Sequence, residues 1–154
     1  MSQIIVENFT DFRKMEGQEL APGPWITITQ AMINAFAEAT LDRQWIHIDE
    51  AKAAAQSPFK TTIAHGFMSI SMLSKMLEDL VLIKSVSMGF NYGLNKVRFP
   101  HPVLVNSRLR LLSSITKIED YHGNGLKVFW NCTVAIENAE KPACVGEFIT
   151  LFFE

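Results

Sequence analysis

Cysteine is scarce in this chain of 154 residues: Cys132 and Cys144 are the only two, they lie far apart, and no Cys-x-x-Cys pair exists. Neither a disulfide framework, a zinc ribbon nor a redox motif is indicated. Charge is scarce as well. Fourteen Lys and Arg against sixteen Asp and Glu leave a net charge of -2, which excludes a field able to gather nucleic acid by charge alone. No apolar run reaches the roughly 20 residues of a membrane span. The opening Met1-Ser2-Gln3-Ile4-Ile5-Val6-Glu7 lacks the basic stretch and longer apolar run of a secretory signal. The expectation is a cytoplasmic protein with neither nucleic acid nor membrane as partner. What is abundant is core material, 48% hydrophobic residues and 10% aromatic against 19% charged, over a length that suits one domain, residues 1–154.

Two regimes follow one another along the chain. Up to about Lys84 it reads as helices broken by loops. Phe9 and Phe12 have helical spacing in 7–15, and Trp25-Ile26-Thr27-Ile28-Thr29 reads as a short strand. Thr29 can cap a helix over 31–40, where Met32, Ile33, Phe36 and Ala37 form an apolar stripe. Another short helix is predicted over 49–55, ended by Ser57-Pro58. In 65–81, apolar residues go most of the way round a helix, so a buried helix is predicted. From Ser85 onward the pattern changes to strands, near 86–99, 108–118, 126–137 and 143–153, with turn signals at Pro100-His101-Pro102, Gly123-Asn124-Gly125 and Lys141-Pro142. In the third, Val128, Trp130, Cys132, Val134 and Ile136 share one face, which makes Cys132 a small buried hydrophobe. Helices followed by a run of strands specify an α+β domain with an antiparallel sheet. The simplest compact solution is a hot-dog fold, the sheet wrapped around the long central helix.

Two stretches could carry chemistry. Asp42 and His47 lie five residues apart across a probable loop, and a carboxylate with an imidazole can converge on one water for acid–base catalysis. Taken alone, the plain structural reading is the stronger: Asp42 ends a helix and His47 bonds a loop. The second stretch is Thr61-Thr62-Ile63-Ala64-His65-Gly66-Phe67, where the chain enters the long helix. The first N–H groups of a helix lack internal partners and carry the positive end of its dipole, so they can hold a developing oxyanion, and Gly66 permits a close approach. A tight helix start with His65 as a buried structural histidine is the equal alternative.

Together, the run from Asp42 to His47, the Ile63-Ala64-His65-Gly66-Phe67 helix start and Asn91-Tyr92-Gly93-Leu94-Asn95-Lys96-Val97-Arg98-Phe99-Pro100 resemble the MaoC-like dehydratases, the family of R-specific enoyl-CoA hydratases. The resemblance runs from about Trp25 to the C-terminus and is strongest to single-hot-dog, nodulation-protein-like acyl dehydratases. It implies Asp42 and His47 as the catalytic pair and the Gly66 N–H as the donor to the thioester carbonyl. It implies His65, Ser74 and Asn95 as substrate-binding residues, with no role yet assigned to Asn95. It implies reversible hydration of a trans-2-enoyl-CoA to the (R)-3-hydroxyacyl-CoA by a homodimer without metal or organic cofactor. An acyl carrier protein is the other carrier that the sequence leaves open. Where the family pattern has glycine before the aspartate, this chain has Leu41, and where glycine is common before the Thr-Thr run it has Lys60. A left-handed backbone at Leu41 would cost roughly 1–2 kcal/mol and could displace Asp42.

The residues leave other readings. Lys96, Arg98, Arg108 and Arg110 alternate along strands and could meet the phosphates of coenzyme A, although a solvated strand face accounts for them better. A metal cluster of His47, Asp49 and His65 lacks the helical spacing of zinc ligands. The rival functions are a hot-dog thioesterase and a catalytically silent acyl-CoA-binding protein.

Overall fold

The computed structural model describes residues 2–154. Strand β1 (Ile4–Val6) leads to helix α1 (Phe9–Arg13), whose first turn is closed by the Asn8 side chain accepting from the Asp11 N–H. Helix α1 is held by its two phenylalanines, both buried. The predicted strand at Trp25 shortens to β2 (Ile26–Thr27). Helix α2 (Gln30–Thr40) begins as expected at Thr29, whose hydroxyl accepts from the Met32 N–H at 3.2 Å. Two short helices follow, α3 (Trp45–Ile48), which the sequence left as loop, and α4 (Glu50–Gln56), capped by Asp49.

The long central helix exists in two near-continuous pieces, α5 (Gly66–Ser71) and α6 (Leu73–Leu80), linked through Met72. The Met72 N–H reaches Met68 O at 3.1 Å and the Met76 N–H reaches Met72 O at 3.0 Å, so the axis carries on across the joint. Val81, expected in that helix, opens β3 (Val81–Ile83) instead, which pairs in parallel with β1. The helix is not buried all round either. Met68, Leu73, Met76, Leu77 and Leu80 are buried, but Phe67, Ser71, Ser74, Lys75 and Glu78 stay exposed.

Four long strands complete the fold: β4 (Met88–Arg98), β5 (Arg108–Tyr121), β6 (Gly125–Ile136) and β7 (Cys144–Phe153). With β2 they form one antiparallel sheet in the order β2-β5-β6-β7-β4. The alternation read in β6 is real: Val128, Trp130, Cys132, Val134 and Ile136 face the core, and burial pushes the Cys132 thiol up to about 12. Trp130 donates its indole N–H to the Thr150 hydroxyl at 2.9 Å, which satisfies the one polar atom that so large a buried ring brings inside. This curled sheet around a central helix is the hot-dog fold. Among the described residues strand β4 has no neighbour on its outer edge, and bulges between Asn91 and Gly93 and between Asn95 and Arg98 interrupt its pairing with β7.

Candidate active site

Helix α2 ends at Leu41, which takes the left-handed conformation at φ 65° and is 70% exposed. Asp42 follows directly on this reversal and is exposed. Its carboxylate accepts only a long bond of 3.4 Å from the Gln44 N–H, so its oxygens are largely free. Lys60, the second departure from the glycine pattern, is also left-handed, at φ 58°.

His47 lies on α3 and is buried. Its Nδ1 is 2.7 Å from Ile63 O. A carbonyl oxygen can only accept, so Nδ1 carries the proton and Nε2 keeps its lone pair. The backbone of the two segments is joined as well, Ile63 N–H to Ile46 O at 3.0 Å. Burial holds the His47 pKa below its ordinary 6.5, opposed by the bond to Ile63 and reinforced by the neighbouring His65. The imidazole is therefore unprotonated near neutrality, in the form that accepts a proton.

His65 and Gly66 sit at the start of α5. Segment 62–65 is clamped before it turns: the Ala64 N–H bonds Val103 O at 2.8 Å and the Val105 N–H bonds Thr62 O at 3.0 Å. A Cβ on Gly66 would stand 3.2 Å from the Phe99 ring, so any larger residue would require that ring to give by a few tenths of an ångström. The His47 and His65 rings stack with centroids 3.8 Å apart and planes inclined by 24°. An Asp42 oxygen and one nitrogen from each ring lie within 4.8 Å of one another. That separation is one a single water can bridge with two hydrogen bonds of about 2.8 Å.

The remaining predicted residues fall elsewhere. Ser74 lines a cavity of about 480 Å³ farther along the central helix, together with Leu77, Asn91, Trp130, Phe148 and Phe152. Its hydroxyl donates to Asn91 Oδ1 at 3.0 Å. Asn95 is not brought to this cavity: its amide donates to Glu147 Oε1 at 2.7 Å. Asn91 is opposite Thr150 and Asn95 opposite Glu147, and residues three apart along β7 point to opposite faces of the sheet, so the two asparagines do too. Arg108 pairs with Glu137 at 2.8 Å, and Arg108 and Arg110 both lie over the Trp25 ring.

Gln30 carried no sequence signal, yet it ties the parts together. Its amide donates to His47 O at 2.7 Å and accepts from the buried Thr62 hydroxyl. A side-chain bond between the start of α2, α3 and the approach to α5 has no periodicity to betray it.

The model of the MaoC like domain matches residues 11–131, most of the chain. The chain belongs to the MaoC-like dehydratase family. Within this family it is similar to the 3-hydroxyacyl-thioester dehydratase Z of Mycobacterium tuberculosis, with 44% identity over 95% of this chain and 96% of that one. It is also similar to nodulation protein N of Rhizobium meliloti, with 41% identity over 94% and 90% of the two chains. Among solved structures, the unliganded R-hydratase PhaJ1 of Pseudomonas aeruginosa matches with a TM-score of 0.71 and 26% identity, over 90% of this chain and 82% of that one. As a MaoC-like protein it is a hydratase or dehydratase.

Proposed function

We propose that the protein reversibly hydrates trans-2-enoyl-CoA to the (R)-3-hydroxyacyl-CoA, with Asp42 and His47 as the acid–base pair and the Gly66 N–H as the oxyanion donor. The observation that supports this most is the gathering of an Asp42 oxygen and the His47 and His65 rings within 4.8 Å, next to the first N–H of α5. Asp42 and His47 Nε2 hold one water. Its oxygen forms the C–O bond to the β-carbon as one of its protons passes to His47 Nε2. The electron pair of the double bond moves to the thioester oxygen, where Gly66 holds the enolate charge. The pair then returns a proton to the α-carbon, and the double bond has gained one water. Removing an oxyanion donor costs about 3–4 kcal/mol of barrier, so Gly66 is worth about as much as either member of the pair. No step calls for a metal or organic cofactor.

The acyl chain fits the cavity under β4. Its walls are mostly apolar, Leu77, Trp130, Phe148 and Phe152 among them, with Ser74, Glu78, Asn91 and Thr150 as the polar exceptions. Leu41 and Phe67, both 70% exposed, and Phe99, in contact with Phe67, put apolar surface around the site's mouth.

The proposed working form is a cytoplasmic homodimer of one domain per chain. Strand β4 offers an unpaired edge of 11 residues carrying exposed Met88, Phe90, Tyr92 and Leu94. Such an edge is a pairing hazard unless something covers it, and a second copy covers it along with the bare face of the central helix.

The test follows loss of the enoyl chromophore and release of thiol together, on short and medium trans-2-enoyl-CoA. Chromophore loss without thiol, abolished in Asp42→Asn and His47→Gln, is the expected result. Thiol release would make the protein a thioesterase, and tight binding with no turnover would make it a silent acyl-CoA binder.

A further inference from the structure

We propose that His65 positions both members of the catalytic pair, through a hydrogen bond to the Asp42 backbone and a face-to-face stack on the His47 ring. The inference rests on the hydration reading above and assigns this residue a part other than touching substrate.

Three observations carry it. First, His65 Nε2 is 2.8 Å from Asp42 O. The oxygen can only accept, so the ring donates. It is the short bond of Asp42 itself: Asp42 N–H to Thr40 Oγ1 and Gln44 N–H to Asp42 Oδ1 are both 3.4 Å, near the limit of a hydrogen bond, and the nearby Arg43–Glu38 ion pair, at 2.7 and 3.0 Å, lies on the exposed side chains rather than on the Asp42 backbone. Leu41, just before Asp42, stands in a backbone region that costs an L-residue energy, and without a tether the segment could relax toward an ordinary conformation. Second, the ring lies against His47 at 3.8 Å and is backed by Phe36 at 4.9 Å, so it sits between α2 and α3 and fixes the plane of the imidazole that accepts the proton. Third, His65 is only 3% exposed, and its Nδ1 is buried with no partner. An orphaned buried polar atom costs stability, a cost that an apolar side chain of similar size would avoid. The position keeps that cost while its one hydrogen bond goes to Asp42. With Nε2 engaged and Nδ1 sealed from solvent, neither nitrogen is offered to a substrate, so His65 is a positioning residue. It is also the residue before Gly66, which places the anchoring of the pair and the start of α5 on consecutive residues.

Two variants separate the tether from mere filling of space. His65→Phe keeps a flat ring but cannot donate; His65→Gln can place an amide N–H where Nε2 stood. Turnover of a trans-2-enoyl-CoA is referred to the folded fraction from circular dichroism, so that loss of fold is not read as loss of activity. In His65→Phe, kcat falls about 10- to 100-fold with KM within about threefold, since a misplaced group slows the chemistry without weakening binding. In His65→Gln, kcat recovers to at least about threefold above the Phe variant. Hydrogen exchange across residues 42–44 quickens in the Phe variant and not in the Gln variant, a readout that needs no turnover. Equal kcat in the two variants, a Phe variant as fast as wild type, or a loss confined to KM would overturn the inference. Hydration that needs Asp42 but ignores His65 sinks this inference alone, whereas a wild type without hydration, or an Asp42→Asn variant at full speed, sinks the functional reading.

Discussion

At the scale of single residues, the site depends on the form of His47 and on the turn that carries Asp42. Burial lowers the His47 pKa below 6.5, so the midpoint of the acid limb of kcat/KM lies under pH 6.5. The sign for stability follows from the same shift. As pH falls through 6.5 the unfolded chain binds a proton that the folded ring refuses, so the melting temperature declines in the window between 6.5 and the lower folded value, then levels off. An activity limb above 6.5 would mean that the imidazole is not held unprotonated. At Leu41 the left-handed backbone is real, and the side chain, 70% exposed, contributes little packing in the subunit. Leu41→Gly should therefore raise stability by about 1 kcal/mol, read from urea unfolding, with kcat within about threefold of wild type. A rise in activity by orders of magnitude would show that leucine displaces Asp42.

Elements explain why some of this could be read from the chain and some could not. Helix α2 was legible because its cap and its stripe are local. Thr29→Ala should cost about 1 kcal/mol in thermal or chemical unfolding, and a loss near zero would mean the cap is idle. Strands β5, β6 and β7 were legible because one face is dry and the alternation stays in step with the pleat. Helix α3 was not. It spans four residues, and bonds from distant parts hold it, Ile63 to Ile46 and Ile63 to His47, which no local pattern announces. Asn95 was named through the resemblance alone; the bulge between Asn91 and Gly93 puts it on the other face of the sheet from Asn91, where it meets Glu147 instead of the cavity. The central helix looked buried all round because its exposed face opens with Phe67, Ser71 and Ser74, and its charges, Lys75 and Glu78, come only toward its end. The motif singled out Asp42, His47 and Gly66 as candidates, but the bond from His65 to Asp42 was not legible, since a bond between residues 23 apart leaves no trace in spacing.

For the whole molecule, the uncovered edge and the half-bare helix lie on the side that holds the cavity. Sedimentation should give a dimer, and Phe90→Asp should shift it toward monomer and lower activity with it; a wild type that sediments as a monomer would contradict the assembly. The central claim is that one carboxylate and one imidazole act on a single water. The most direct measurement is kcat for hydration in Asp42→Asn, His47→Gln and the double variant. Two groups that serve one water act as a unit, so each single change should cost about 10²–10⁴-fold and the double should be little worse than the poorer single. Losses that multiply, or a single variant that keeps its activity, would contradict the account.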